Sequence, residues 1–201
     1  MKKFYLKPIP AAKKWPIFLA TFFAYCSLYL ITNRIHLGAP VQLFSLWIDQ
    51  VVPFMSFTVW VYLTHLFFVI SVVYFFNDDI IFSRFFYALN IGSLLSIVIF
   101  FFYPTTIERK THVFSFVNEM VFWFVYALDN PVNCFPSLHV FWVMIGLIPL
   151  FYKKPNGFIW IFLWGILIIF STMTTKQHYS VDVLGGTLLA FLSWRFTKLL
   201  F

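Results

Sequence analysis

The sequence predicts an all-α, polytopic membrane protein, a bundle of six transmembrane helices. Three observations lead there. Hydrophobic residues are 62% of the 201-residue chain and charged residues 10%, against roughly a quarter charged in an ordinary soluble domain. A soluble chain this small has too much surface to leave so little of it charged. Apolar runs recur along the whole length, at Pro16–Thr32, Phe57–Phe76, Phe85–Tyr103, Ser137–Phe151, Phe158–Met173 and Val181–Leu200. None alternates as a barrel strand would, and backbone in lipid must satisfy its own hydrogen bonds, so the runs read as helices. A soluble globular domain, a disordered chain and a disulfide scaffold are excluded.

The first span follows Lys2, Lys3, Lys7, Lys13 and Lys14, which resemble the charged start of a signal peptide. No small-residue cleavage pattern follows Leu28, so the span is expected to stay uncleaved. In the second and third spans, His65 and Asn90 read as packed or bonded to neighbouring helices. The loop over residues 104–136 is the longest, and its stretch Val113–Ala127 reads as an interfacial helix on the outer leaflet. Glu119 and Asp129 read there as solvated faces. Pro136 opens the fourth span, where its missing N–H is no loss. Several spans are near the lower limit for crossing a bilayer; Trp15, Trp47, Trp160 and Trp194 lie near their ends, as an aromatic belt requires. Ser171 reads as a hydroxyl bonded to its own helix backbone. Cys26 and Cys134 read as free thiols. With no repeat or linker, residues 1–201 form a single domain.

The net charge of +7 reflects topology rather than nucleic-acid binding. Six spans put both termini on one side. Ten Lys and Arg fall on that side and four on the other, so both termini are expected in the cytoplasm. The short chain suggests the inner membrane of a bacterial envelope.

Three segments converge on the opposite, outer face. In Asn133-Cys134-Phe135-Pro136-Ser137-Leu138-His139, a helix start offers free N–H groups and a partial positive charge to a phosphate. Ser137 adds a hydroxyl and His139 an imidazole that titrates near neutrality. In Thr174-Thr175-Lys176-Gln177-His178-Tyr179-Ser180-Val181-Asp182, a helix begun by His178 would set His178 and Asp182 on one face. A carboxylate holding one imidazole nitrogen as N–H leaves the other as a free lone pair, an activated nucleophile or base. Asp182 is an acid within an apolar span, where acids are costly and functional. In Tyr103–Lys110, Arg109 offers a planar fork to phosphate oxygens, with Lys176 as a point charge from the other loop. His178, His139 and Asp182 could hold a zinc ion by residue type. The neighbouring cations repel a metal and suit phosphate, so neither metal nor cofactor is expected.

At these residues the chain resembles the type 2 phosphatidic acid phosphatase superfamily, six-span enzymes that act on lipid phosphates and pyrophosphates without a metal. The superfamily's Pro-Ser-x-His motif is met by Pro136, Ser137 and His139. Its His-x-x-x-Asp motif is met by His178 and Asp182, with Ser171 seven residues ahead of His178; the Arg expected after that Ser is Thr172. The first motif, a Lys followed at a distance by Arg-Pro, is reduced to Arg109, with Phe102 at the Lys position and Lys110 at the Pro position. Lys176 and Lys110 are then the candidate replacements among the phosphate-binding cations. The wording Phe-Pro-Ser-Leu-His with Thr-Lys-Gln-His-Tyr-x-x-Asp-Val is similar to the branch containing sphingomyelin synthase and inositol phosphorylceramide synthase.

The resemblance implies that His178 attacks phosphorus, Asp182 orients it, and His139 protonates the leaving alcohol. Arg109, Ser137, Lys176 and Lys110 would bind phosphate oxygens. The expected activity is a lipid phosphatase working through a phosphohistidine on a lipid phosphate or pyrophosphate. Its rivals are a headgroup phosphotransferase of the sphingomyelin synthase kind and a non-catalytic transporter or scaffold. Membrane lipids are the expected partners, and no nucleic acid.

Overall fold

The computed structural model of the protein describes residues 6–109 and 116–201. A 3-10 turn at Ala11–Lys13 leads into α1 (Lys14–Thr32), and α2 (Trp47–Val51) is a single turn. A second 3-10 turn, Ser56–Thr58, precedes α3 (Val59–Leu63) and α4 (His65–Val73). There follow α5 (Asp79–Phe102), α6 (Phe116–Leu128), α7 (Leu138–Lys153), α8 (Phe158–Thr174) and α9 (Ser180–Phe196), with a last 3-10 turn at Thr197–Leu199. Two residue pairs form a parallel ladder, β1 (Val41–Gln42) against β2 (Thr105–Thr106), in the register Val41 to Thr105.

Among the described residues, three helical stretches are long and apolar enough to cross a membrane: Ala11–Thr32, Ser56–Val73 and Asp79–Phe102. The 24 residues of α5 rise about 36 Å, against a hydrocarbon thickness of about 30 Å. Helices α7, α8 and α9 have 16, 17 and 17 residues and cover the other three apolar runs.

Helix boundaries differ from the apolar runs where a charge or a hydroxyl finds a local partner. The α5 helix starts six residues before Phe85 because Asp78 caps it, its carboxylate accepting the Ile81 N–H at 2.9 Å. Arg84, which stands just before the apolar run but within α5, lies over the Trp194 ring at 4.1 Å and bonds the Trp194 carbonyl. The second run is broken at Thr64. Its hydroxyl donates to the Val61 carbonyl at 2.6 Å and accepts the Trp164 indole N–H at 2.8 Å. A hydroxyl offered to the preceding turn competes with the helix ladder and bends it. The amphipathic stretch is helical over Phe116–Leu128; the part of it at residues 113–115 lies outside the described residues.

Helix α7 is central and packs against α4, α5, α8 and α9. Phe141, Val143 and Ile145 on it are wholly buried. Apolar side chains also cover the outside, such as Phe23, Leu94, Trp160 and Leu188, as a lipid-facing surface requires. Asn90 bonds across to α1 through the Tyr25 hydroxyl, and Ser171 donates to its own helix at Ile168, both as expected. Cys26 and Cys134 are free thiols.

Candidate active site

The starts of α7 and α9 meet at one end of the bundle. Ser137 is fully buried and caps α7, its Oγ accepting the Val140 N–H at 3.3 Å. Its own N–H donates to the Asp182 carbonyl at 3.1 Å, tying α7 to α9. Gly186 permits this approach: a Cβ there would stand 2.4 Å from the Ser137 carbonyl oxygen.

His178 lies two residues ahead of α9 rather than within it. It still meets Asp182, because Asp182 reaches back over the first turn. One carboxylate oxygen, Oδ2, accepts the Tyr179 N–H at 2.9 Å and stands 3.4 Å from His178 Nδ1. Asp182 is wholly buried and His178 nearly so. With Nδ1–H turned to the carboxylate, Nε2 carries the lone pair. That nitrogen is 3.3 Å from His139 Nδ1, which completes a line from Asp182 through His178 to His139.

His139 is held from its other side. Its ring lies 4.8 Å from Tyr62 and 4.2 Å from His65, centroid to centroid. His65 Nδ1 donates to the Tyr62 carbonyl at 3.0 Å. The histidine expected only to pack in the second span therefore packs against the candidate general acid.

Arg109 forms an ion pair with Asp129 at 3.5 Å, donates to the Asp129 carbonyl, and stacks over Tyr126 at 4.6 Å. Asp129 is thus not a solvated loop acid: its side chain is 19% exposed and also accepts from the Tyr29 hydroxyl and Asn33 Nδ2, each at 2.9 Å. Burial pushes its carboxyl up from the ordinary value, against the opposing pull of the Arg109 guanidinium. Lys176 points elsewhere, its Nζ donating to the carbonyls of Asp49 at 2.8 Å and Val52 at 2.6 Å. Lys110 lies outside the described residues.

Two cavities meet here. A polar one of about 10 Å³ is lined by Arg109, Asn133, Gln177 and His178, among others, with room for about one water. An apolar one of about 250 Å³ runs between α1, α3, α4, α6 and α7 and reaches His139. Tyr29, Tyr62 and Asp129 line both. Among the described residues, Arg109 Nε, Asn133 Oδ1 and Asp182 Oδ1 are buried without a hydrogen-bond partner. Buried polar atoms left open in this way point to a ligand or water. Cys134 also lines the polar cavity, but burial pushes its thiol up, so it stays protonated and is a poor nucleophile.

Two non-glycine residues flank the site in left-handed backbone conformation, Asn133 at φ 65° and Lys176 at φ 55°. Such residues cost about 1–3 kcal/mol each and cluster at functional sites. The 103–109 segment is fastened to the 131–135 loop by Thr105 Oγ1, which accepts the Phe135 N–H at 2.8 Å, and by Thr106, which donates to Pro131.

The two histidines and the carboxylate beyond them form one connected line, and Arg109 lines the same polar cavity as His178. The chain matches the family described as the PAP2 superfamily over residues 26–196. It belongs to the PAP2 superfamily. The match takes in α1 from Cys26 onward and ends with α9, so it includes both histidine segments. PAP2 membership and the apolar helices together make the chain a membrane protein of phosphatase or phosphotransferase type. No curated protein matches the chain. At Thr172, where the motif leads one to expect Arg, the backbone carbonyl accepts the N–H groups of Gln177 and His178 at 3.0 and 3.1 Å. That position shapes the His178 loop through its main chain.

Gln177, Asn133, Tyr62 and Asp129 escaped the sequence reading as site residues. Gln177 and Asn133 stood inside the two informative segments, but neither titrates. Tyr62 and Asp129 had no local signal, because their roles depend on contacts far apart in sequence.

Proposed function

We propose that this PAP2 protein is a lipid phosphatase that releases phosphate from a lipid phosphomonoester or pyrophosphate through a phosphohistidine, without a metal. The observation that carries this reading is the division of the site. His178 lines the small polar cavity, His139 the large apolar one. A scissile P–O bond spanning the junction has its phosphoryl group on the polar side and its leaving oxygen, with a hydrocarbon tail, on the apolar side.

In the first step His178 Nε2 attacks phosphorus and the bond to the leaving oxygen breaks. His139 gives its proton to that oxygen, and the leaving group departs on the apolar side, an alcohol from a phosphomonoester or a lipid monophosphate from a pyrophosphate. Asp182 holds His178 in the reactive tautomer and balances the positive charge that develops on the ring. In the second step His139 takes a proton from water, which attacks the phosphohistidine and restores His178. The equatorial oxygens gain charge in both transition states. Arg109, whose Nε is left open, is suited to meet them; Ser137 supports the loop as a helix cap. Substrate must part the two rings, since 3.3 Å between their nitrogens leaves no space for a phosphoryl group.

The test is mass spectrometry of products from purified protein in EDTA, given lipid phosphates with and without diacylglycerol or ceramide. Inorganic phosphate released irrespective of acceptor is expected. A new phospholipid formed only with acceptor would make the protein a transferase; strict dependence on added divalent metal would end the metal-free scheme.

The cation distribution supports cytoplasmic termini and a site on the extracytoplasmic face. Protease access to a C-terminal tag from the cytoplasmic side only is the expected result.

A further inference from the structure

We propose that Asp49, in the segment between α1 and α3, is a positioning residue for His178. Asp49 is buried, at 8% exposure, although its neighbours Trp47, Ile48 and Val51 are exposed. It accepts three hydrogen bonds. Oδ1 takes the Ser180 N–H at 2.7 Å, and Oδ2 takes the Ser180 hydroxyl at 3.0 Å and the Leu46 N–H at 2.8 Å. Ser180 is the first residue of α9 and lies two residues after His178.

The same segment grips the His178 loop from its other side. Lys176 Nζ donates to the carbonyls of Asp49 and Val52. Further along, the Met55 N–H donates to the Thr174 carbonyl at 2.9 Å, and the Thr58 and Thr174 hydroxyls stand 2.8 Å apart. His178 is therefore held between two anchors, Lys176 two residues before it and Ser180 two residues after it. Both end on the short stretch Asp49–Val52, which lies more than 120 residues away in sequence.

Asp49 has no contact with the candidate reacting atoms, so it acts through the loop. A buried carboxylate bonded to a helix-start N–H is a strong, directional anchor. The His178 N–H donates to the Thr172 carbonyl just past the left-handed Lys176, and misplacement of about 1 Å can cost about 100-fold in rate. An amide at position 49 keeps one acceptor oxygen and loses the other, so it cannot hold all three donors.

The test compares wild type with Asp49→Asn, each as the purified full chain in detergent. Imidazole labelling by diethylpyrocarbonate is read site by site by mass spectrometry, with thermal unfolding followed in parallel. His178 labelling is expected to rise at least about tenfold while His36, outside the brace, is unchanged, as local loosening of one loop requires. Phosphate release is expected to fall about 100-fold in kcat with KM within about twofold. This kinetic arm rests on His178 being the nucleophile; the labelling arm does not, and it decides the proposal even if no phosphate is released. Unchanged His178 labelling, or an equal rise at His178 and His36, would overturn it. If Asp49→Asn fails to fold, Ser180→Ala takes its place. It removes one of the three bonds, and a rise of about threefold at His178 alone is expected; no rise would overturn the proposal equally.

Discussion

At the end of the bundle where α1 begins, Lys14 Nζ is buried and donates to the Tyr74 and Phe76 carbonyls and to Asn77 Oδ1. Arg84 stacks on Trp194 and bonds the end of α9. These polar groups close on one another and on helix-end carbonyls. At the end where α7 and α9 begin, Lys176 does the same, but Arg109 Nε, Asn133 Oδ1 and Asp182 Oδ1 are left open among the described residues. A buried network that closes contributes to stability, whereas one that stays open has kept capacity for something else. The contrast separates cations that hold the fold from cations able to meet a substrate.

The sharpest way to break that contrast is to remove the line of histidines. His178→Ala and His139→Ala should each lower phosphate release by about 10⁴-fold or more, since nucleophile and acid act as a unit. A phosphoenzyme trapped by acid quench should vanish in the first. Near-normal turnover in either would move the chemistry elsewhere. Next comes Arg109→Ala, expected to cost about 10²–10³-fold in kcat/KM. Arg109→Lys should recover little, because a point charge replaces neither the fork nor the stacking on Tyr126.

Lys176→Met should cost less, about tenfold in kcat with KM unchanged, since its ammonium anchors the loop on carbonyls. A rise in KM equal to that of Arg109→Ala would place both cations on phosphate. At the other end, Lys14→Met should leave specific activity unchanged while lowering stability by about 1–3 kcal/mol, read from thermal unfolding, because it strands buried carbonyls. Gly186→Ala, whose Cβ would press on the Ser137 carbonyl, should cost about 1–3 kcal/mol of stability and lower phosphate release as well, because it parts the helix starts that bring His139 to His178.

The helices were legible because lipid demands long apolar runs, and α5, α7 and α8 follow those runs to within a few residues outside the capped start of α5. The break at Thr64 was not, since a threonine within an apolar run looks no different from one that bends it. In the site, His139, His178 and Asp182 were legible from spacing, and Arg109 from its place after the third run. Asp129 and Asp49 look in sequence like any loop acids. Their burial follows from the way the 33–58, 103–109 and 129–137 segments fold over one another. Lys176 stands two residues from His178, yet its left-handed backbone sends the side chain to Asp49 and Val52 rather than into the polar cavity. Neighbourhood in sequence gave no hint of that direction.

The apolar cavity between α1, α3, α4, α6 and α7 has a consequence for how such an enzyme is measured. A substrate whose tail enters there is drawn from the plane of the bilayer, so the quantity governing turnover is its mole fraction among surrounding amphiphiles. Diluting a fixed amount of lipid phosphate with inert detergent then slows the reaction at constant bulk concentration. Reaction rate becomes a property of a two-dimensional solvent, with the protein as one of its solutes.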